Sequence, residues 1–565
     1  MKRRKWIYLI TSFLFALLLL YPYIVKDFVN IEHDTFFHLS RIQGMAEALS
    51  RGDILPAVYP DKNLGYGYGS PMFYCDILLI PSALLYLLGV PLSICYSQLV
   101  FVLSFISILG MMFVYDHALK SKNKNCISSI LAGAAYGFAN YRITNIYVRG
   151  ALGEVTALAF LPWLILALYE LICEGRRESW WKLTLTLSLL AVSHNLSFLM
   201  SVILCIILTL CWHKKLTEDV FMSCVKAVLF AFGLTMFFTI PMLEQTSSQD
   251  FYLKHWGSDL SSYAMKLRQY FANKTIFGYG GNSQPPEKAM LLNPGWFLTF
   301  APLLSIYSLI RNKDRNPFLI QCLCIGYGAM LAESVLIPWQ YLSGIFGILQ
   351  FPWRLTMVSM TFLPVPAVYG FTELFRKENL KSIFTVLMTA VLCGGCYYHV
   401  TPVLTRTFGI TSKNTYSDLI DGTIVDPFYS AFYVRVELAG ADYLPVGSPD
   451  FREYEPALRS DNQILSVEYQ KEGNTLTFEW DSDIQTTIEA PLTWYKGYKA
   501  YCIDESGEKT EINLSVSSHR MTEITTQGKG TYVIQYESTL LRKTCILLSG
   551  ITLIALIITL KRQRL

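Results

Sequence analysis

"MKRRKWIYLITSFLFALLLLYPYIV" (residues 1–25) sets four basic residues directly before twenty apolar and aromatic ones. About 20 apolar residues span the hydrocarbon core of a bilayer. The run is longer than the apolar centre of a secretory signal, and no small-residue cleavage site closes it. The spacing predicts an uncleaved membrane anchor with its basic end in the cytoplasm.

The same pattern recurs along the chain. Of 565 residues, 52% are hydrophobic and 16% charged, against roughly 25% charged in soluble domains. The mean hydropathy is +0.35. Apolar runs lie near 7–25, 94–116, 126–141, 152–172, 183–194, 196–212, 223–242, 296–310, 317–333, 355–374, 382–398 and 543–560. Basic clusters at 2–5, 120–124, 175–177, 213–215, 311–315, 376–381 and the C-terminal tail fall on one side of these runs. That side is predicted to be cytoplasmic. The expectation is a polytopic α-helical membrane protein of about 12–13 spans, embedded in a lipid bilayer.

Residues 72–90 are apolar enough to count as a further span. Asp76 and Pro81 within them, and the flanking Pro71 and Pro91, suit lipid poorly, so an interfacial or re-entrant element is expected there. The pair at 183–212 is short, which predicts two half-helices meeting at "SHN" (193–195). The net charge of +4 gives no argument for a nucleic-acid partner. Most of the 13 cysteines lie in apolar runs. The "CGGC" at 393–396 is therefore read as small core residues rather than a redox pair. Cys502 is the one cysteine between 399 and 540, so no disulfide is expected inside that region.

Three polar pieces are expected outside: 26–75, 243–294 and 399–540. "ILSVEYQ" (464–470), "TLTFEW" (475–480), "TTIEAP" (486–491), "INLSV" (512–516) and "TYVIQYE" (531–537) alternate with period two between polar breaks. They predict a β-sandwich. Expected domains are a membrane module at 1–398, an extracytoplasmic β-rich domain at 399–540, and a membrane anchor with a basic cytoplasmic tail at 541–565.

Ionisable residues gather where the chain leaves the bilayer. "NIEHDTFFHLSR" (30–41) carries Glu32, His33, Asp34, His38 and Arg41. "RITNIYVRGALGE" (142–154) carries Arg142, Arg149 and Glu154, "LQFPWRL" (349–355) carries Gln350 and Arg354, and His194 stands at the hairpin tip. Charges near membrane depth are costly and mark functional sites. Structural readings exist for each: Asp34 as a helix N-cap, Glu154 as a first-turn acid favoured by the helix dipole, Arg354 as a side chain reaching the headgroups. Taken together, the set suits transfer of a sugar from a lipid phosphate to a hydroxyl. A carboxylate takes the acceptor's proton, and arginine carries the charge of the departing phosphate.

The stretch "IEHDTFFHLSRIQGMAEALSRGDILPAVYPDKNLGYGYGSPMFY" (31–74), with "RGALGE" (149–154), "FPWRL" (351–355) and the β-rich tail, resembles a bacterial membrane family named after 6-pyruvoyl-tetrahydropterin synthase and related to YfhO-type proteins. Glu32 and Asp34, with Arg41 downstream, also resemble the acidic first loop of oligosaccharyltransferase catalytic subunits, members of the GT-C glycosyltransferase superfamily. That resemblance implies a GT-C-like fold in a bacterial plasma membrane. It implies Asp34 as the catalytic carboxylate and Glu154 as the second acidic residue. Glu32, His33, His38, Arg41, Arg149, His194, Gln350 and Arg354 are the candidates for contacting substrate. It further implies a polyprenyl-phosphate-linked sugar as donor and a cell-wall polymer, glycan or lipid as acceptor. The family pattern has an Asp-x-Glu pair where this chain has Gly153–Glu154, so no metal ligands are predicted and a divalent cation is left open. Pterin synthesis needs three histidines on one zinc. The eight histidines here are scattered over several loops, and that chemistry is not expected. Two other functions stay open from sequence: a transporter or flippase for lipid-linked glycans, and a non-catalytic scaffold for envelope-polymer assembly.

Overall fold

The computed structural model describes residues 2–27, 29–30, 33–119, 126–255, 259–273, 290–312, 316–405, 409–413, 441–451 and 453–564. Helices dominate up to residue 404, strands follow from 459 to 536, and a last helix spans Leu540–Arg564. Among the described residues six helices are long and apolar enough to cross a membrane: Arg3–Val25, Leu92–Ala118, Leu152–Cys173, Glu218–Ser248, Glu378–Thr401 and Leu540–Gln563. A seventh candidate is the pair Pro352–Phe362 and Pro364–Glu373, bent by 44°. Pro364, which cannot donate a helical hydrogen bond, stands at the break.

The other expected spans are shorter apolar helices, including Ile127–Gly137, Asn195–Cys211, Trp296–Ile310 and Pro317–Ala332. Seventeen residues reach about 25 Å at 1.5 Å each, short of the roughly 30 Å hydrocarbon core. Apolar composition is therefore a more generous guide to spans than helix length. The 72–90 segment holds a helix over Ile77–Leu87, about 16 Å long by the same rise. The hairpin breaks at Val192–His194, as its length predicted.

The chain forms two compact units. The first comprises Met1–Phe36, Val90–Ala231 and Trp256–Asp426. Here the N-terminal helix packs along Leu92–Ala118 through Tyr8 and Phe113, whose rings meet edge to face at 5.7 Å. Leu92–Ala118 in turn packs on Leu152–Leu168 at Gly110, where an added Cβ would stand 2.7 Å from Trp163 Nε1. That indole donates to the Ile106 carbonyl at 3.0 Å. A short antiparallel pair, β1 (Val29–Asn30) and β2 (Gly409–Ile410), closes one end, and the Asp27 carboxylate accepts from the Ser412 amide at 3.1 Å.

The second unit comprises Phe37–Gly89, Phe232–His255 and Pro427–Leu565. Its ten strands are β3 (Arg459–Ser460), β4 (Gln463–Ile464), β5 (Tyr469–Glu472), β6 (Thr475–Trp480), β7 (Thr487–Thr493), β8 (Tyr498–Ile503), β9 (Lys509–Ile512), β10 (Leu514–Val516), β11 (Met521–Thr525) and β12 (Gly530–Tyr536). They make two five-stranded antiparallel sheets, ordered β10-β11-β7-β3-β4 and β5-β6-β12-β8-β9. Ile488, Ala490 and Leu492 from one sheet share a buried core with Phe478, Ala500 and Ile534 from the other. Two faces closing on one apolar layer make a sandwich. Cys502 points into that core.

Candidate functional site in the first unit

Glu154 organises the site. It lies in the first turn of the helix Leu152–Leu168 and is 3% exposed. Its Oε2 accepts from Arg149 Nη1 at 2.8 Å and from Tyr141 Oη at 2.6 Å. Its Oε1 accepts from Arg149 Nη2 and from Arg354 Nε, both at 3.0 Å. The paired bonds from Arg149 are the fork geometry that makes guanidinium–carboxylate contacts strong. The short helix Asn140–Tyr147 supplies Tyr141 and, one turn on, Asn145. Asn145 Nδ2 is 3.4 Å from Glu154 Oε2, and its Oδ1 accepts from Arg149 at 2.5 Å.

Arg354 belongs to the turn Pro352–Leu355, two hundred residues further along the chain. Its Nη1 donates to the Leu349 carbonyl and to Gln350 Oε1. Gln350 holds that position with φ of 61°, a left-handed conformation uncommon for a residue with a Cβ. The guanidinium groups of Arg149 and Arg354 lie over aromatic rings: Arg149 at 4.6 Å from the Trp353 centroid, Arg354 at 4.9 Å from that of Phe351. Burial opposes the charge on Arg149, but the Glu154 carboxylate outweighs it and raises its pKa above the ordinary guanidinium range.

Asp34 is half-buried, and its amide donates to the Arg149 carbonyl at 2.9 Å. Its carboxylate acts electrostatically on Arg149. His194 caps the helix Asn195–Cys211 through its Nδ1, which lies 2.8 Å from Ser197 Oγ. The first unit thus brings together Asp34, Arg149, Glu154, Gln350 and Arg354, with His194 near Glu154. His33 is half-buried beside Asp34. Glu32 lies outside the described residues.

His38 and Arg41 belong to a second buried cluster, inside the other unit. Arg41 Nε donates to Asp76 Oδ1 at 2.6 Å, Nη1 lies 2.9 Å from His38 Nδ1, and Nη2 reaches the Cys75 carbonyl at 3.0 Å. Tyr59 donates its hydroxyl to Asp76 Oδ2. Arg41 also stacks 4.1 Å from the Tyr74 ring centroid. The sequence offered Arg41 as a phosphate ligand; here its donors meet Asp76, His38 and a carbonyl.

Sequence reasoning overlooked Tyr141, Asn145, Tyr59 and the pairing role of Asp76. The signal for the first two was present, since Tyr141 and Asn145 are four apart and so share a helix face. For a divalent cation the donor set does not fit. Among the described residues no three His, Cys, Asp or Glu side chains gather as metal ligands. The Glu154 oxygens already accept from two guanidinium groups and a phenol.

The model of the family described as "6-pyruvoyl-tetrahydropterin synthase related domain; membrane protein" matches residues 78–403. An uncharacterised protein of Lactococcus lactis subsp. cremoris (strain MG1363) is 22% identical over 347 residues, or 59% of this chain and 54% of that protein. The match thus spans about half the length of that curated relative. Among solved structures, the cryo-EM structure of the arabinofuranosyltransferase AftD from Mycobacteria is similar with a TM-score of 0.47 and 12% identity, over 74% of this chain and 28% of that one.

Proposed function

The chain belongs to the 6-pyruvoyl-tetrahydropterin synthase related family of membrane proteins, and we propose that it is an integral-membrane glycosyltransferase. The donor is a sugar on a polyprenyl phosphate and the acceptor an extracytoplasmic glycan, cell-wall polymer or lipid. One observation carries this reading: a single buried carboxylate, Glu154, holds two arginines from distant parts of the chain beside Asp34.

Glu154 neutralises one of the two guanidinium charges. Arg354 uses Nε and Nη1 on protein acceptors, and among the described residues its Nη2 has none. A guanidinium has five N–H donors in a planar fork. The two on Nη2 suit an oxygen of a lipid phosphate. In the reaction the bond from the sugar's anomeric carbon to phosphate oxygen breaks, and a bond to the acceptor oxygen forms. The proton of the acceptor hydroxyl passes to the Asp34 carboxylate, and the charge left on the phosphate is met by Arg354 and Arg149. Glu154, expected from sequence to be a catalytic carboxylate, takes the part of a positioning residue. Its lone pairs are engaged by the arginines and by Tyr141, so Asp34 is left as the base.

General-base catalysis contributes about 10²–10⁴-fold. Asp34→Asn should therefore insert and accumulate normally while transfer falls at least about a hundredfold. Lipid-linked sugars and glycan products are compared in cells carrying the deletion, the wild type and Asp34→Asn. Donor accumulation matching the deletion supports the base assignment; product at the wild-type level refutes it.

A further inference from the structure

The second unit contains a small, half-open recess, walled by Met45, Leu55, Phe237, Phe238 and Pro241 and bearing two charged side chains, Asp76 and Arg542. Two walls come from helices of membrane-spanning length, Glu218–Ser248 and Leu540–Gln563. These helices touch where Ser549 Oγ donates to the Gly233 carbonyl at 2.8 Å. Gly233 is needed there, because a Cβ would stand 2.7 Å from Thr552 Oγ1. The recess lies nearer the other end of the same pair, where Pro241 interrupts one helix and Arg542 and the exposed Lys543 open the next. Basic residues flanking an apolar helix mark the border of bilayer and water.

The two charges are not equivalent. Asp76 is satisfied by Arg41 and Tyr59. Arg542 donates to the Leu55 carbonyl and the Ser538 hydroxyl, and no carboxylate pairs with it among the described residues. The recess is therefore apolar with one cation that makes no ion pair among the described residues. We propose that it holds a resident membrane glycerophospholipid with an anionic headgroup, its phosphate on Arg542 and one acyl chain against Phe237 and Phe238. Phosphate–guanidinium contacts are among the strong hydrogen bonds. A sugar-phosphate donor fits less well, because the only carboxylate in the recess is already spent and none is left to deprotonate an acceptor. The inference does not depend on the glycosyltransferase reading.

Native mass spectrometry of the full-length protein in detergent tests it, with phosphatidylglycerol, phosphatidylcholine and undecaprenyl phosphate as probes. The unaltered protein should retain phosphatidylglycerol at least about tenfold better than phosphatidylcholine, a difference of about 1.4 kcal/mol. Arg542→Gln should abolish that preference and Arg542→Lys should keep it, with the thermal unfolding midpoint in phosphatidylcholine showing that each variant is folded. Equal retention of the two phospholipids by the unaltered protein overturns the proposal. So does a preference that survives Arg542→Gln, or displacement of phosphatidylglycerol by equimolar undecaprenyl phosphate, which would make the recess an isoprenoid site.

Discussion

Glu154 and Asp34 are both acids at the end of an apolar stretch, and both were candidate catalytic residues from sequence, Asp34 as the base and Glu154 as the second acid. Their surroundings separate them. Glu154 accepts from Arg149, Arg354 and Tyr141 in a buried site. Removing one partner of a buried ion pair leaves an uncompensated charge and costs about 3–5 kcal/mol. Glu154→Gln should therefore lower the thermal midpoint of the detergent-solubilised protein sharply, and activity with it. Asp34→Asn keeps the backbone bond to Arg149 and every bond to Glu154, and should lower the midpoint less. If the two variants unfold alike, the division into anchor and base fails. What sequence could reveal here was the charge: Arg149, Glu154 and Arg354 stand out because their neighbours are apolar. It could not rank Arg149 above Arg142, seven residues earlier. Arg142 is fully buried, and among the described residues its one hydrogen bond is to Ser104 Oγ at 3.3 Å. The carboxylate that distinguishes the two arginines is brought to Arg149 by the turn between the helices Asn140–Tyr147 and Leu152–Leu168.

Helices and strands differ in how plainly the chain announces them. The sandwich strands β6 and β12 were legible because period-two alternation survives burial of one face; β6 shows it in the core positions Leu476 and Phe478. The strands β3 and β4 have two residues each, too few for a period to register. Asp76 was legible as an oddity in an apolar run, but not its partner, because Arg41 meets it from 35 residues away. That pair makes a prediction for its whole packing unit. Asp76→Ala should cost about 3–5 kcal/mol by stranding Arg41, whereas the double variant Arg41→Met/Asp76→Leu should recover most of the loss. Thermal unfolding of both variants reads the difference, and a double variant no better than the single one would show that the pair is worth more than an apolar substitute. Strand β5 carries a pH-dependent counterpart. Lys471 Nζ donates to the Pro60 carbonyl at 2.7 Å and to that of Gly65, and burial pulls its pKa down to about 8. The unfolded chain keeps that proton up to about 10.5. Unfolding between these values takes up a proton, so stability rises with pH across the window. Below about 8 both states are charged and the cost of burial is present in full. Relative to Lys471→Met, the wild type should gain about 2 kcal/mol between pH 7.5 and 9.5, measured by denaturation at each pH. A gap that does not change with pH would place the proton on the folded lysine throughout.

At the scale of the molecule, family membership establishes a membrane protein, and six helices of sufficient length among the described residues agree with it. Which side each loop occupies rests on the basic clusters alone. The positive-inside tendency places "HKK" (213–215) in the cytoplasm and the β-rich region outside. Native Cys502 would report this poorly, because it is buried in the sandwich core, where a maleimide cannot reach it. Two exposed positions serve instead. The Asp481 side chain is 92% exposed beside Lys529, and Lys214 is exposed in the turn after Cys211. In intact cells a membrane-impermeant maleimide should label Asp481→Cys and spare Lys214→Cys, and permeabilisation should make both react. The opposite pattern would invert the orientation and put the Arg149–Glu154–Arg354 cluster on the side where nucleotide sugars are at hand. The need for a lipid-linked donor would then disappear, since that need comes from an exterior without nucleotide sugars. The labelling result therefore decides more than topology. It separates a transferase that must draw its sugar from the bilayer from one that does not, and it does so before any substrate is known.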